Sequence, residues 1–242
     1  MEKIAQNDYW RPQYHIAAPA NWINDPNGFC FYKGEYHLFY QYHPYSSQWG
    51  PMHWGHVASK DLADWEHRPI ALAPTDEYDK DGCFSGSAIE NDGKLYLLYT
   101  GHVDLDNSNG GNDRIETQCL AVSDDGKHFE KVENNPVIKA LPENLNIRTE
   151  HFRDPKVWKH GDWYYTVVGV QTKEESGQVV VYKSQDLINW EFLNIMATSS
   201  VKENLGFMWE CPNFAEVNGH EALILSPQGV KSEGNKFLNL HQ

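Results

Sequence analysis

The chain has 242 residues, 40% of them hydrophobic and 13% aromatic, enough for one large domain or two small ones with a real core. A formal net charge of −14 disfavours nucleic acid or an anionic membrane as partner, and no apolar run approaches the roughly 18 residues of a membrane span. Cys30, Cys83, Cys119 and Cys211 are scattered with no C-x-x-C pair, which argues against both a disulfide framework and a structural zinc site.

The opening stretch "MEKIAQNDYWRPQYH" is polar and mixed, with no apolar signal core, so the sequence reads as cytoplasmic. Next comes "NWINDPNGF", residues 21 to 29, where two turn dipeptides, Asp25-Pro26 and Asn27-Gly28, sit between Trp22, Ile23 and Phe29. Strand-like segments with a glycine at the turn then recur along the chain. They are "FCFYKGEYHLFYQY" around Gly34, "AIENDGKLYLLYTG" around Gly93, "KVWKHGDWYYTVVG" around Gly161 and "NFAEVNGHEALILS" around Gly219. Each alternates apolar and polar residues on both sides of a short polar turn, the signature of a hairpin.

Between the hairpins a second pattern recurs: a strand, Ser-x-Asp, a short turn, then an aromatic opening another strand. It is present as Ser59-Lys60-Asp61 with Trp65, Ser123-Asp124-Asp125 with Phe129, and Ser184-Gln185-Asp186 with Trp190. The two patterns in phase describe a four-stranded unit of about sixty residues, a length suited to the blade of an all-β propeller. No helical periodicity is sustained, and its best exception, "ALPENLN", is broken by Pro142. Three full units are expected, with a fourth that has its first hairpin and ends at "KFLNLHQ", as if inside a strand.

The acidic residues fall at one place in this repeat. Asp25 and Glu210 lie nine residues before their hairpin glycines, as does Phe84, and Asp154 lies seven before Gly161. First strands of propeller blades line the axis, so equivalent positions converge on the mouth of one funnel. Taken singly, Asp25 reads as a turn former and Asp154 as half of an ion pair with Arg153; Glu210, an acid in the apolar "MWECPNF", demands a reason. In phase, the three favour a catalytic site in which burial raises at least one carboxyl and keeps a proton near neutrality. Neither metal nor cofactor is expected, since His53 and His56 in "MHWGH" do not follow metal-ligand spacing.

The blocks "NWINDPNGF", "LFYQYHP", "CFSGSA", "FRDP" and "MWECP", in this order, resemble the signature blocks of glycoside hydrolase family 32, the invertase and sucrose-6-phosphate hydrolase family. The resemblance implies a five-bladed propeller followed by a β-sandwich, with residues 1–242 as part of the N-terminal catalytic propeller: about three and a half blades. It implies Asp25 as nucleophile, Glu210 as acid/base and Asp154 as transition-state stabiliser beside Arg153. Asn24, Gln41, Trp49, Phe84 and Ser85 match positions that shape a fructose pocket, with Trp22 as a wall. The implied reaction is retaining cleavage of a terminal β-fructofuranoside, with sucrose or its 6-phosphate as small-molecule partner. A phosphate would call for cationic side chains at the rim, with Lys231 and Lys236 as candidates. The competing readings are a fructan hydrolase, a non-catalytic sugar-binding propeller, and an inert chain whose propeller does not close.

Overall fold

The computed structural model describes residues 9–12, 14–105, 113–199 and 205–235; Lys236 and the rest of "KFLNLHQ" lie outside them. Among the described residues every regular element is a strand. Sheet I contains β1 (Trp22–Tyr32), β2 (Glu35–His43), β3 (His53–Ser59) and β4 (Trp65–His67). Sheet II contains β5 (Gly82–Asn91), β6 (Lys94–Asp104), β7 (Arg114–Ser123) and β8 (Glu130–Lys131), and sheet III contains β9 (Ile147–His160), β10 (Trp163–Thr172), β11 (Gly177–Ser184) and β12 (Trp190–Thr198). A hairpin of β13 (Met208–Val217) and β14 (His220–Gln228) follows. Each four-stranded sheet is an antiparallel meander in sequence order, as expected for three and a half propeller blades.

The four hairpin turns centre on Gly34, Gly93, Gly161 and Gly219, each with φ > 0 and a left-handed residue just before the first, second and fourth. Two consecutive left-handed residues make the tight turn that matches strand twist. The Ser-x-Asp pattern is a second turn, built three times in the same way. Asp61 Oδ1 accepts the N–H groups of Ala63 and Asp64, Asp125 Oδ1 those of Lys127 and His128, and Asp186 Oδ1 those of Ile188 and Asn189. The serine hydroxyl accepts the N–H of the third residue on, Leu62, Gly126 or Leu187, which is left-handed each time.

The sheets pack face to face around an axis on which β1 contacts β5, β5 contacts β9, and β9 contacts β13. Phe39 and Trp54 of sheet I meet Leu95, Leu97 and Tyr99 of sheet II. Leu98 and Leu120 of sheet II meet Val157 and Tyr164 of sheet III. Val167, Val179 and Val181 of sheet III meet Trp209 of the hairpin, backed by Phe214, Leu223 and Leu225. Each such side chain, withdrawn from water, stabilises the fold by about 1.5–3 kcal/mol.

Near the axis, side chains also bond the backbone of the neighbouring sheet. Asn27 Oδ1 accepts the Gly86 N–H (3.2 Å). Ser87 Oγ donates to Pro155 O (2.7 Å) and accepts from Val157 N–H (2.9 Å). Asp154 Oδ2 accepts the Cys211 N–H (2.9 Å). The inner strands are thus fixed to one another where no ladder can join them.

Candidate active site

Every inner strand carries an irregularity in its pairing at the level of the phased residues. The register shifts between Ile23 and Pro26 in β1, Phe84 and Gly86 in β5, Arg153 and Lys156 in β9, and Glu210 and Asn213 in β13. An extra residue on one strand bends it and re-aims its side chain. Asp25, Ser85 and Asp154 occupy these bulges and Glu210 borders the fourth. Asp154 (φ 66°) and Cys211 (φ 47°) are left-handed, a backbone conformation that costs a non-glycine residue energy and recurs at functional sites. Asp25, Phe84 and Glu210 stand near the start of their strands, as the repeat predicts. Asp154 is the eighth of fourteen residues, because β9 extends past the bulge to pair Ile147 with Thr172.

The three carboxylates line one cleft of about 620 Å³, together with Asn24, Gln41, Trp49, Phe84, Ser85 and Arg153. Ser85 Oγ donates to Asp25 Oδ2 at 3.3 Å. Gln41 is turned by donating Nε2 to Cys83 O (3.1 Å), and Trp49 meets Phe84 edge to face. Trp22 is not among the lining residues. Its indole N–H donates to Asn24 Oδ1 (2.7 Å), so it acts on the cleft through Asn24 rather than as a wall.

Arg153 is the electrostatic centre. Its Nη2 donates to Glu210 Oε1 (2.9 Å), its Nη1 to His151 Nδ1 (2.9 Å), and its Nε lies 3.9 Å from Asp154 Oδ2. Burial pushes the Asp154 carboxyl up to about 7; Arg153 and the Cys211 N–H oppose the rise, while Glu210 and Glu116 add to it. The carboxyl raised toward neutrality is therefore that of Asp154. His151 is held down at about 4, by burial first and then by Arg153, so it is neutral and free to accept from Nη1.

The model of the glycosyl hydrolases family 32 N-terminal domain matches residues 15–240. The chain belongs to family 32. A family 32 relative named sucrose-6-phosphate hydrolase, from Escherichia coli, is 49% identical over 232 residues, covering 96% of this chain and 46% of the relative. One named raffinose invertase, also from Escherichia coli, is 44% identical over 246 residues, covering all of this chain and 49% of the relative. Among solved structures, the family 32 beta-fructofuranosidase of Bombyx mori superimposes with a TM-score of 0.85 at 48% identity, over 96% of this chain and 47% of that one. The chain spans about half the length of the curated relatives it matches.

In family 32 terms, four of the five sequence blocks fall on the inner strands and the fifth, with Gln41, on β2. The cleft also takes residues outside those blocks: Arg114, Arg148, Glu150, His151, Gln171, Glu175, Phe207 and Gln228. Arg114 and Arg148 both depress the basicity of His151. Among the described residues, these two arginines line the cleft while Lys231, which is exposed, does not; Lys236 lies outside the described residues. No sequence signal singled them out, since an arginine opening a strand is ordinary. Among the described residues no cluster of His, Cys, Asp and Glu has metal-binding geometry.

Proposed function

We propose that the whole of residues 1–242 belongs to one family 32 propeller and carries the catalytic site of a retaining β-fructofuranosidase acting on sucrose or sucrose 6-phosphate. The observation that carries this reading is the convergence of Asp25, Asp154 and Glu210 from three separate sheets on one cleft of disaccharide size. The Asp25 carboxylate attacks the anomeric carbon of the fructosyl unit, forming a C–O bond as the glycosidic C–O bond breaks. Glu210 delivers its proton to the departing oxygen. Water then gives a proton back to Glu210 and its oxygen displaces Asp25, so two inversions yield retention. Asp154, titrating near 7, donates to or accepts from sugar hydroxyls as charge develops. Such a mechanism needs the Asp25 and Glu210 carboxyl groups about 5 to 5.5 Å apart.

The names of the relatives support sucrose and its 6-phosphate over fructan, and the Arg114 and Arg148 rim is suited to a phosphate on the leaving sugar. Phosphorylated sugars are held inside cells, which supports a cytoplasmic role in sucrose catabolism. The test uses the complete protein that carries this chain, with an activated fructoside that needs no protonation to leave. Glu210→Ala should still transfer fructose to Asp25 and accumulate the ester, and azide should restore turnover with a fructosyl azide of retained configuration. Asp25→Ala should form no ester with any leaving group. Retained-configuration rescue in Asp25→Ala, or none in a folded Glu210→Ala, would reverse the two roles.

A further inference from the structure

Glu116 lies on β7, opposite His102 on β6, outside every sequence block that pointed to the site. Its side chain is fully buried, and a carboxylate is costly to bury without a partner. Burial works to raise its carboxyl, but Arg153, His102 and the Phe152 N–H outweigh it and hold the group at about 2, so it is ionised. Oε2 accepts from the Phe152 N–H (2.8 Å) and lies 3.5 Å from Arg153 Nη1. Oε1 faces His102 Nδ1 at 3.7 Å, and both of these buried atoms are without a hydrogen-bond partner among the described residues. His102 in turn stacks on Phe84 of the cleft, with ring centroids 4.0 Å apart and planes within 11°.

A neutral amide at position 116 would satisfy the Phe152 N–H equally well. Among the described residues, Arg153 is the one arginine or lysine paired with this charge. We propose that Glu116 is a positioning residue of the active site: its buried carboxylate anchors one edge of the Arg153 guanidinium so that the other edge stays on Glu210. The planar fork makes the division possible. Nη1 is held by Glu116 and His151, and Nη2 reaches Glu210 (2.9 Å) and Gln228 (3.4 Å). Without the anchor Nη1 keeps only His151, and the guanidinium can shift toward Asp154, whose Oδ2 lies 3.9 Å from Nε.

The charged and titratable groups around this unit are His102 and Asp104 on β6, Arg114 on β7, Arg148, His151, Arg153 and Asp154 on β9, and Glu210 on β13. Neutralising Glu116 removes a negative charge that raises the Asp154 carboxyl, which favours the ionised form of Asp154. Asp154, the proposed donor to sugar hydroxyls, then loses its proton at lower pH.

This inference rests on the glycosidase reading, so the test has one arm that needs no turnover. In the complete protein, Glu116→Gln should lower kcat about 10- to 100-fold, the range for losing a charge-assisted hydrogen bond, with KM changed less than about threefold. The alkaline limb of kcat/KM should move down by about one pH unit, and Glu116→Asp, which keeps the charge, should leave it in place. The turnover-free arm is the titration of the Asp154 carboxyl, followed by carbon NMR; in Glu116→Gln its midpoint should fall. A folded Glu116→Gln with neither the limb nor the Asp154 midpoint displaced overturns the proposal. Should Glu116→Gln not fold, the unsubstituted protein decides. An anchored Arg153 gives separately resolved guanidinium protons, and a single averaged signal overturns the anchoring. A displaced Asp154 midpoint in a protein that never hydrolyses fructosides would sink the glycosidase reading and leave the positioning intact.

Discussion

Replacing Asp154 by asparagine should make the protein more stable at pH 8 while abolishing its proposed activity. Burial pushes the carboxyl up to about 7 in the folded chain, against 3.8 for an ordinary aspartate. Below pH 3.8 it is protonated in both states and imposes no penalty. Between the two values the folded state binds the extra proton, so stability falls as pH rises, and above about 7 the penalty is complete. A separation of about 3 units corresponds to about 4 kcal/mol. Asparagine removes the titration while its side-chain oxygen still accepts the Cys211 N–H, and it tolerates the left-handed backbone that Asp154 adopts. The assay is urea unfolding of the unsubstituted and Asp154→Asn chains at pH 4 and pH 8. The variant should gain several kcal/mol relative to the original between the two pH values, because the titrations of groups remote from Asp154 cancel in the difference. A stability difference independent of pH would refute the argument, since it would mean that Asp154 titrates alike in the folded and unfolded chains.

Two further substitutions test the frame that positions the site. Gly169→Ala should lower unfolding stability by about 1–3 kcal/mol, because a Cβ there meets the Trp209 carbonyl at 2.2 Å and must push the hairpin from sheet III; chemical denaturation measures it. Asp186→Ala should cost about 1–2 kcal/mol and a few degrees in Tm, because the N–H groups of Ile188 and Asn189 lose their acceptor at the β11–β12 turn, with activity unchanged at temperatures below unfolding.

Much of the fold was legible because two local turn devices repeat in phase. Glycine at the hairpin tip and Ser-x-Asp at the next turn are each fixed by backbone chemistry within five residues, so sequence spacing alone locates them. The three carboxylates were legible for the same reason, since phase within a repeat becomes position around an axis. The offset of Asp154 was legible as a number but not as a structure, because a bulge and an extended β9 are set by pairing with β10. Trp22 looked like a wall from its neighbourhood in sequence, yet a side chain's direction in an irregular strand follows from the local register. Glu116 and Arg114 were hidden because their meeting with Arg153 and His151 is made between sheets, and Arg148, on β9 with those two residues, follows no repeat that would mark it. The one trace of Glu116 was an acid within "RIETQCLAVS", a strand otherwise suited to burial.

The side chain to backbone bonds at the axis, Asn27 to Gly86, Ser87 to Pro155 and Val157, and Asp154 to Cys211, make the site a property of joints rather than of sheets. Each sheet closes its own hydrogen-bond ladder. The cleft needs more, because its three carboxylates meet only when β1, β5, β9 and β13 are docked. Loss of the joint between β9 and β13 would leave the circular dichroism of a folded β-protein and separate Glu210 from Arg153. In a chain of this design heat should misalign the cleft before it erases secondary structure, which would make an assay of the proposed activity a more sensitive gauge of integrity than circular dichroism.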